Sequence, residues 1–161
     1  MKLPSLLVLS IFLLTSCSKP ATLPEKPKST ITVKKNDMAW VSEGVAANYN
    51  VDEDRVHVMS GRDNETFMIS FKKGGIPIDG FIRDFSASVF IAPFKGSAAI
   101  SESYRLDSTK PNKLKLLLFE NPEKRIACDF VLYFKKEGPA SEETNVFQGR
   151  FDVRYDIFSL K

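Results

Sequence analysis

The stretch Ile126-Ala127-Cys128-Asp129-Phe130-Val131-Leu132-Tyr133-Phe134-Lys135-Lys136 decides the fold. Ile126, Cys128, Phe130, Leu132 and Phe134 fall on one parity; Ala127, Asp129, Val131, Tyr133 and Lys135 fall on the other. A period of two sends alternate side chains to opposite faces of an extended strand, whereas a helix would need apolar residues every third or fourth position. The segment therefore reads as a strand with one strongly apolar face. On that face Cys128 is expected to pack as a small hydrophobe rather than to act in redox chemistry, which wants exposure and a lowered pKa.

The same period recurs on both sides. Asn121-Pro122-Glu123-Lys124 is a turn signal, preceded by a strand over Leu114 to Glu120. Residues 136–144 form a polar loop, and Asn145 to Leu160 is the last strand, continuous or bent at Gly149. In it Phe151, Val153, Tyr155 and Ile157 are expected to face inward. Arg150, Asp152, Arg154 and Asp156 face outward with alternating sign, either paired across to a neighbouring strand or serving as a candidate interaction stripe.

Earlier in the chain, Arg55 to Ser60 and Thr66 to Lys73 flank a hairpin turn over Gly61 to Glu65, with Phe67, Ile69 and Phe71 alternating. Ile31 to Lys35 reads as an edge strand and Asn36-Asp37 as a turn. Met38 to Tyr49 reads as a strand kinked at Gly44, with a short helix over Val41 to Asn48 as the alternative. Ile78 to Pro93 is expected to pass from loop into strand, and Ala98 to Leu106 to form another strand around Ile100 and Tyr104. Phe81, Phe85, Phe90 and Phe94 are expected in the core if the segment is strand; in a loop they would be exposed as a platform for sugar or peptide. About eight short strands separated by turn chemistry predict an all-β fold, an antiparallel β-sandwich first and a closed barrel of lipocalin type second.

The chain opens differently. Lys2 gives a positive start and Leu3 to Leu14 an apolar run, short of the roughly 20 residues a spanning helix needs. Leu14-Thr15-Ser16-Cys17 resembles the bacterial lipobox. The resemblance implies a lipoprotein signal peptide over residues 1–16, cleavage before Cys17, and a palmitate-type acyl anchor on Cys17, since several acyl chains hold a protein stably on a membrane where one does not. Residues 17–30, with three Pro and three Lys after the Cys, read as an extended tether, and 31–161 as a single domain. By analogy with proteobacterial lipoproteins, the absence of Asp at position 18 points to the outer membrane. The lack of an acidic cluster after Cys17 points to a periplasm-facing orientation.

Composition narrows function. The balance of 23 basic against 20 acidic side chains has no clustered basic run, so nucleic acid is not an expected partner. Once Cys17 carries lipid, Cys128 has no partner for a disulfide. His57 is the single histidine and sits in a Val-His-Val strand without a nucleophile elbow, so a half-exposed strand residue is expected rather than a catalytic base. Asp52-Glu53-Asp54 and Asp63-Asn64-Glu65 lack the Gly and distal Glu of a calcium loop and read as solvated turns. No phosphate loop, dinucleotide fingerprint or CxxC occurs, so no cofactor and no metal is expected.

The lipobox, the early Ala39-Trp40 strand, the strand Ile126 to Phe134 and the closing Phe147-Gln148-Gly149-Arg150-Phe151-Asp152-Val153 together resemble small Bacteroidota lipoproteins of unknown function. That resemblance implies a β-sandwich and a cell-envelope address, with no catalytic residues to carry over. The expected function is a non-catalytic binding or assembly module anchored to the membrane by lipid, with an envelope protein or a glycan as partner. A carrier of a small lipid or glycan ranks second, and a carboxylate-dependent hydrolase third.

Overall fold

The computed structural model describes residues 28–74, 79–138 and 141–159. The expected leader, Cys17 and the tether as far as residue 27 lie outside the described residues, as do 75–78 and Leu160. The described chain contains strands and no helix, in agreement with the all-β reading.

Among the described residues eleven strands form: β1 Thr30–Lys35, β2 Met38–Trp40, β3 Gly44–Asn50, β4 Arg55–Arg62, β5 Glu65–Lys72, β6 Phe85–Ile91, β7 Glu102–Leu106, β8 Lys113–Glu120, β9 Arg125–Lys136, β10 Thr144–Arg154 and β11 Asp156–Phe158. They join in one sheet in the order β11-β3-β4-β5-β6-β7-β9-β10-β1-β2, with β8 also paired to β9. All pairs are antiparallel except β11 with β3. The sheet is open at β11 and β2, so the lipocalin-type closed barrel does not form. Both outermost strands have only three residues, which limits the backbone they present for pairing with another chain.

Strand β9 is the hub. One of its edges pairs with β10 along its length, from Arg125↔Arg154 to Lys135↔Thr144. The other edge is shared: β8 takes Arg125 to Val131, and β7 takes Phe134 to Lys136. The sheet folds over so that its inner rows meet as two facing layers. Phe67 of β5 stacks on Phe147 of β10 with ring centroids 5.0 Å apart and lies 5.4 Å from Phe130 of β9. Phe134 packs edge-on against both Phe67 and Phe147. Such rings dominate core energetics, each typically burying 150–250 Å². Ile126, Cys128, Leu132, Phe151 and Val153 complete the inner rows, fully buried as their parity requires.

Several local expectations are corrected. The strand at 31–35 is not an edge, because β2 folds back on it through the Asn36-Asp37 turn, both residues at positive φ. The helix over 41–48 does not form; residues 41–43 turn the chain from β2 into β3, and Gly44 begins the new strand. The β4–β5 hairpin is tighter than expected, with only Asp63-Asn64 between the paired Arg62 and Glu65. β7 starts at Glu102, leaving Ile100 exposed in the preceding loop. Phe94 is 67% exposed beyond the end of β6, and Phe81 is exposed beside β8, where it forms an isolated bridge to Lys115. Of that phenylalanine group Phe85 packs against the core, while Phe90 lies on the parity opposite buried Val89.

The last strand runs in register through Gly149 rather than bending there. The chain instead breaks at Tyr155, so β11 leaves β10 and pairs parallel with β3, and Ile157 is 50% exposed rather than inward. The glycine is required for a different reason. A Cβ at Gly149 would fall against the Thr32 carbonyl and 3.0 Å from Val33 Cα.

Candidate binding face

The outward rows of β3 to β6 differ from the rest of the surface. Their cross-strand registers place Ala46, Met59, Met68 and Ser88 in one row. Asn48, His57, Ser70 and Ser86 form the next, and Gly44, Gly61, Thr66 and Phe90 a third. None of these twelve side chains is Asp, Glu, Lys or Arg. Charge appears only at the margins. Arg55 (3.1 Å) and Lys72 (3.7 Å) pair with Asp84 at one end, Arg62 pairs with Asp63 (3.5 Å) at the other, and Arg105 follows on β7. An uncharged centre with thioether and aromatic side chains, surrounded by charge, is the anatomy of a protein interface. Met59 is 47% exposed there, and methionine adapts its shape to a partner.

The face has a hollow. Gly44 and Gly61 lie directly opposite each other, and without side chains they leave a depression of about 370 Å³ flanked by Ala46, Met59 and Thr66. Its floor is held by hydrogen bonds: the Ser42 and Ser60 hydroxyls lie 2.7 and 2.8 Å from the Gly44 carbonyl oxygen and 2.6 Å from each other, so one donates to the carbonyl while the other donates to its neighbour. Ser60 is itself buried. The hollow lies at the corner of the uncharged rows where the start of β3 meets the hairpin end of β4, next to the central row that holds Met59.

The charged stripe of the last strands pairs with neighbouring residues of the domain. Arg150 holds Asp129 of β9 through two hydrogen bonds of 2.7 and 3.1 Å, and Arg125 holds Asp152 through two of 2.7 Å. Arg154 reaches Glu123 at 2.9 Å. The hydrogen bonds from Arg125 and Arg150 hold the Asp152 and Asp129 carboxyls below the usual carboxylate range. Three of the four stripe residues are thus engaged within the sheet, and Asp156 is exposed on β11. A shallow depression of about 460 Å³ lies beside Arg150 and Gly149.

His57 sits half-exposed between Asn48 and Ser70, with no carboxylate in register to orient it as a general base. The two acidic turns lie at opposite ends of β4 and do not converge. Glu65 is no solvated turn residue. Its side chain is 12% exposed, accepts the Trp40 indole N–H at 2.6 Å and pairs with Lys35, tying β1 and β2 to the hairpin.

Sequence reasoning missed one cluster. The buried Tyr104 hydroxyl donates to Glu143 at 2.6 Å and approaches Glu102 at 3.1 Å, and Lys136 pairs with both carboxylates. Both carboxyls are held below their ordinary range, Glu102 chiefly by Lys136 and Glu143 chiefly by Tyr104, while burial pushes the phenol up. A general acid needs the opposite shift. Every described carboxyl whose pKa moves is moved down. No group of three or more candidate ligands for a metal ion occurs among the described residues. The interior a carrier would use is filled by the Phe67, Phe130, Phe134, Phe147 and Phe151 rings. Cys128 is likewise buried, and burial pushes its thiol well up.

No protein-family model matches this chain, and neither a curated protein nor a solved structure gives a match.

Proposed function

We propose that this protein is a lipid-anchored binding module of the cell envelope that engages a protein partner through the uncharged outer face of β3 to β6. The observation that carries the reading is the segregation of charge. The rows from Gly44 to Phe90 hold no Lys, Arg, Asp or Glu, although such residues border them at both strand ends and on β7. An unengaged sheet face of a soluble domain gains solubility from charge, and leaving it out is a cost that binding offsets.

The anchor comes from the Leu14-to-Cys17 motif and sets the compartment. The described chain begins at Lys28 and Ser29, where the Ser29 hydroxyl accepts the Arg154 backbone N–H at 3.0 Å. The described chain therefore starts at the end of the sheet where β10 finishes, and residues 28–31 line one depression with residues 42–45, beside the Gly44 corner of the uncharged face. Bound to an outer-membrane leaflet by acyl chains on Cys17, the domain would present this face to a neighbouring envelope protein.

The test is in-cell crosslinking of the lipidated protein against the Cys17→Ala form, with mass spectrometry of what is captured. The reading predicts one stoichiometric envelope protein captured by the anchored form and lost when Met59 is replaced by Arg. Capture that survives Met59→Arg unchanged would exclude this face as the binding surface.

A further inference from the structure

We propose that Tyr49, Phe119 and Tyr155 form an aromatic cage for an alkylammonium ligand, and that Lys73 occupies this cage until such a ligand displaces it. The Lys73 ammonium lies 4.2 Å from the Tyr49 ring centroid, 5.4 Å from Phe119 and 5.9 Å from Tyr155. All three distances fall within the range over which a ring face attracts a cation, about 6 Å. The rings come from places far apart in the chain: β3, β8 and the break after β10. Tyr49 and Tyr155 meet edge to face at 6.1 Å. Tyr155 is buried and forms the floor, while Tyr49 and Phe119 are half-buried walls.

Asp54 builds the site. It adopts a left-handed backbone conformation at φ 53°. Its carboxylate accepts the Tyr49 hydroxyl at 2.9 Å and the Gly74 backbone N–H at 2.8 Å, and its carbonyl accepts the Lys73 N–H at 2.9 Å. A Cβ on Gly74 would stand 2.6 Å from that carboxylate, so any larger residue there would make the Asp54 side chain shift. One acidic residue thus orients a cage wall and pins the backbone of the occupant. The Lys73 side chain beyond that pin is a flexible, strongly hydrated tail that an outside cation can displace.

A quaternary or primary ammonium carried on a small headgroup suits three rings with a carboxylate beside them, because its charge is attracted by the ring faces and its methyl or methylene groups fill the space between them. The cage lies close to the start of the described chain, since Tyr155 follows Arg154, which bonds Ser29. Ethanolamine or choline lipid headgroups and free amines share this chemistry. The inference stands independently of the uncharged face.

The experiment is an NMR titration of the full chain with tetramethylammonium chloride, against sodium chloride at equal concentration. In the wild-type protein the Lys73 ε-methylene protons are expected to be shifted upfield by the rings. Tetramethylammonium is expected to return them to their ordinary position, whereas the neutral choline isostere 3,3-dimethylbutan-1-ol is not. Lys73→Gln is expected to bind tetramethylammonium about tenfold more tightly, since the competing occupant is gone. Adding Tyr49→Ala to that variant is expected to abolish binding. Flotation of the Cys17→Ala, Lys73→Gln chain with ethanolamine-lipid or anionic vesicles separates the sources, and preference for the ethanolamine vesicles assigns a lipid headgroup. Binding of free choline without vesicle preference assigns a soluble amine. Lys73 resonances unmoved by tetramethylammonium, or moved equally by the neutral isostere, would overturn the proposal whether or not the variants fold.

Discussion

Gly149 shows how one residue can be required for a reason its neighbours in sequence do not announce. A glycine inside a strand reads as a bend. In the fold the strand runs on, and the missing side chain is what lets the β1 backbone lie against β10, with Val33 Cα 3.0 Å from where a Cβ would stand. Gly149→Ala is therefore expected to destabilise by about 1–3 kcal/mol, as overpacking does, read as a lowered midpoint in urea. Cys128 is legible without the fold, because period two puts it among Ile126, Phe130 and Leu132, and it is fully buried. Burial pushes its thiol far from ionisation at neutral pH, so Cys128 is expected to resist iodoacetamide in the native protein and to react fully in urea. Peptide mapping of the labelled site checks this. Glu65 escapes a local reading because its partners, Trp40 and Lys35, lie 25 and 30 residues away.

At the scale of elements, legibility follows length. β9 and β10 have twelve and eleven residues, long enough for alternation to fix their faces, and their inner rows match the reading. β2 and β11 have three residues each and leave no periodic trace. The loop carrying Phe94 defeats the core expectation because aromatic content alone says nothing about which side of a strand end a residue falls. The charged row on β9 and β10 makes a pH prediction. Asp129 and Asp152 are held below their ordinary range by Arg150 and Arg125, so their stabilisation is complete above the unfolded carboxylate pKa of about 3.9 and is lost as pH falls through the lower folded values. Arg125→Ala is expected to flatten that acid limb and to lower the urea midpoint at neutral pH only slightly, as solvent-screened pairs do. Urea unfolding across pH 2 to 7 reads both effects. On the opposite layer, a Cβ added at Gly44 would meet open space, and the backbone there is not at positive φ, so Gly44→Val is expected to fold at least as stably as wild type. By filling the hollow at the corner of the face it should still weaken capture of a partner that seats a side chain there, read as a lower crosslinking yield.

For the whole molecule, the all-β class follows from alternation and turn chemistry, while the order of strands does not. Nothing local says that β9 will share one edge between β7 and β8, or that β11 will reach β3 in parallel; those pairings join residues distant in sequence and are decided by the collapsed core. The proposed binding face is illegible for the same reason. Ala46, Met59, Met68 and Ser88 are ordinary one by one, and become a row only when four strands align them. The signal that is present, outward positions of β4 to β6 lacking charge, can be read only once register is known. The fold thus carries two outer surfaces of different kind: one laced by ion pairs, the other uncharged and hollowed at a glycine pair. The most direct test of the uncharged face as the binding surface places a photo-crosslinking amino acid at Met59 in one form of the anchored protein and at Lys113, on β8, in another. One defined adduct from position 59 and none from position 113 is the expected result. Equal adducts from both, or an adduct from position 113 alone, would contradict it.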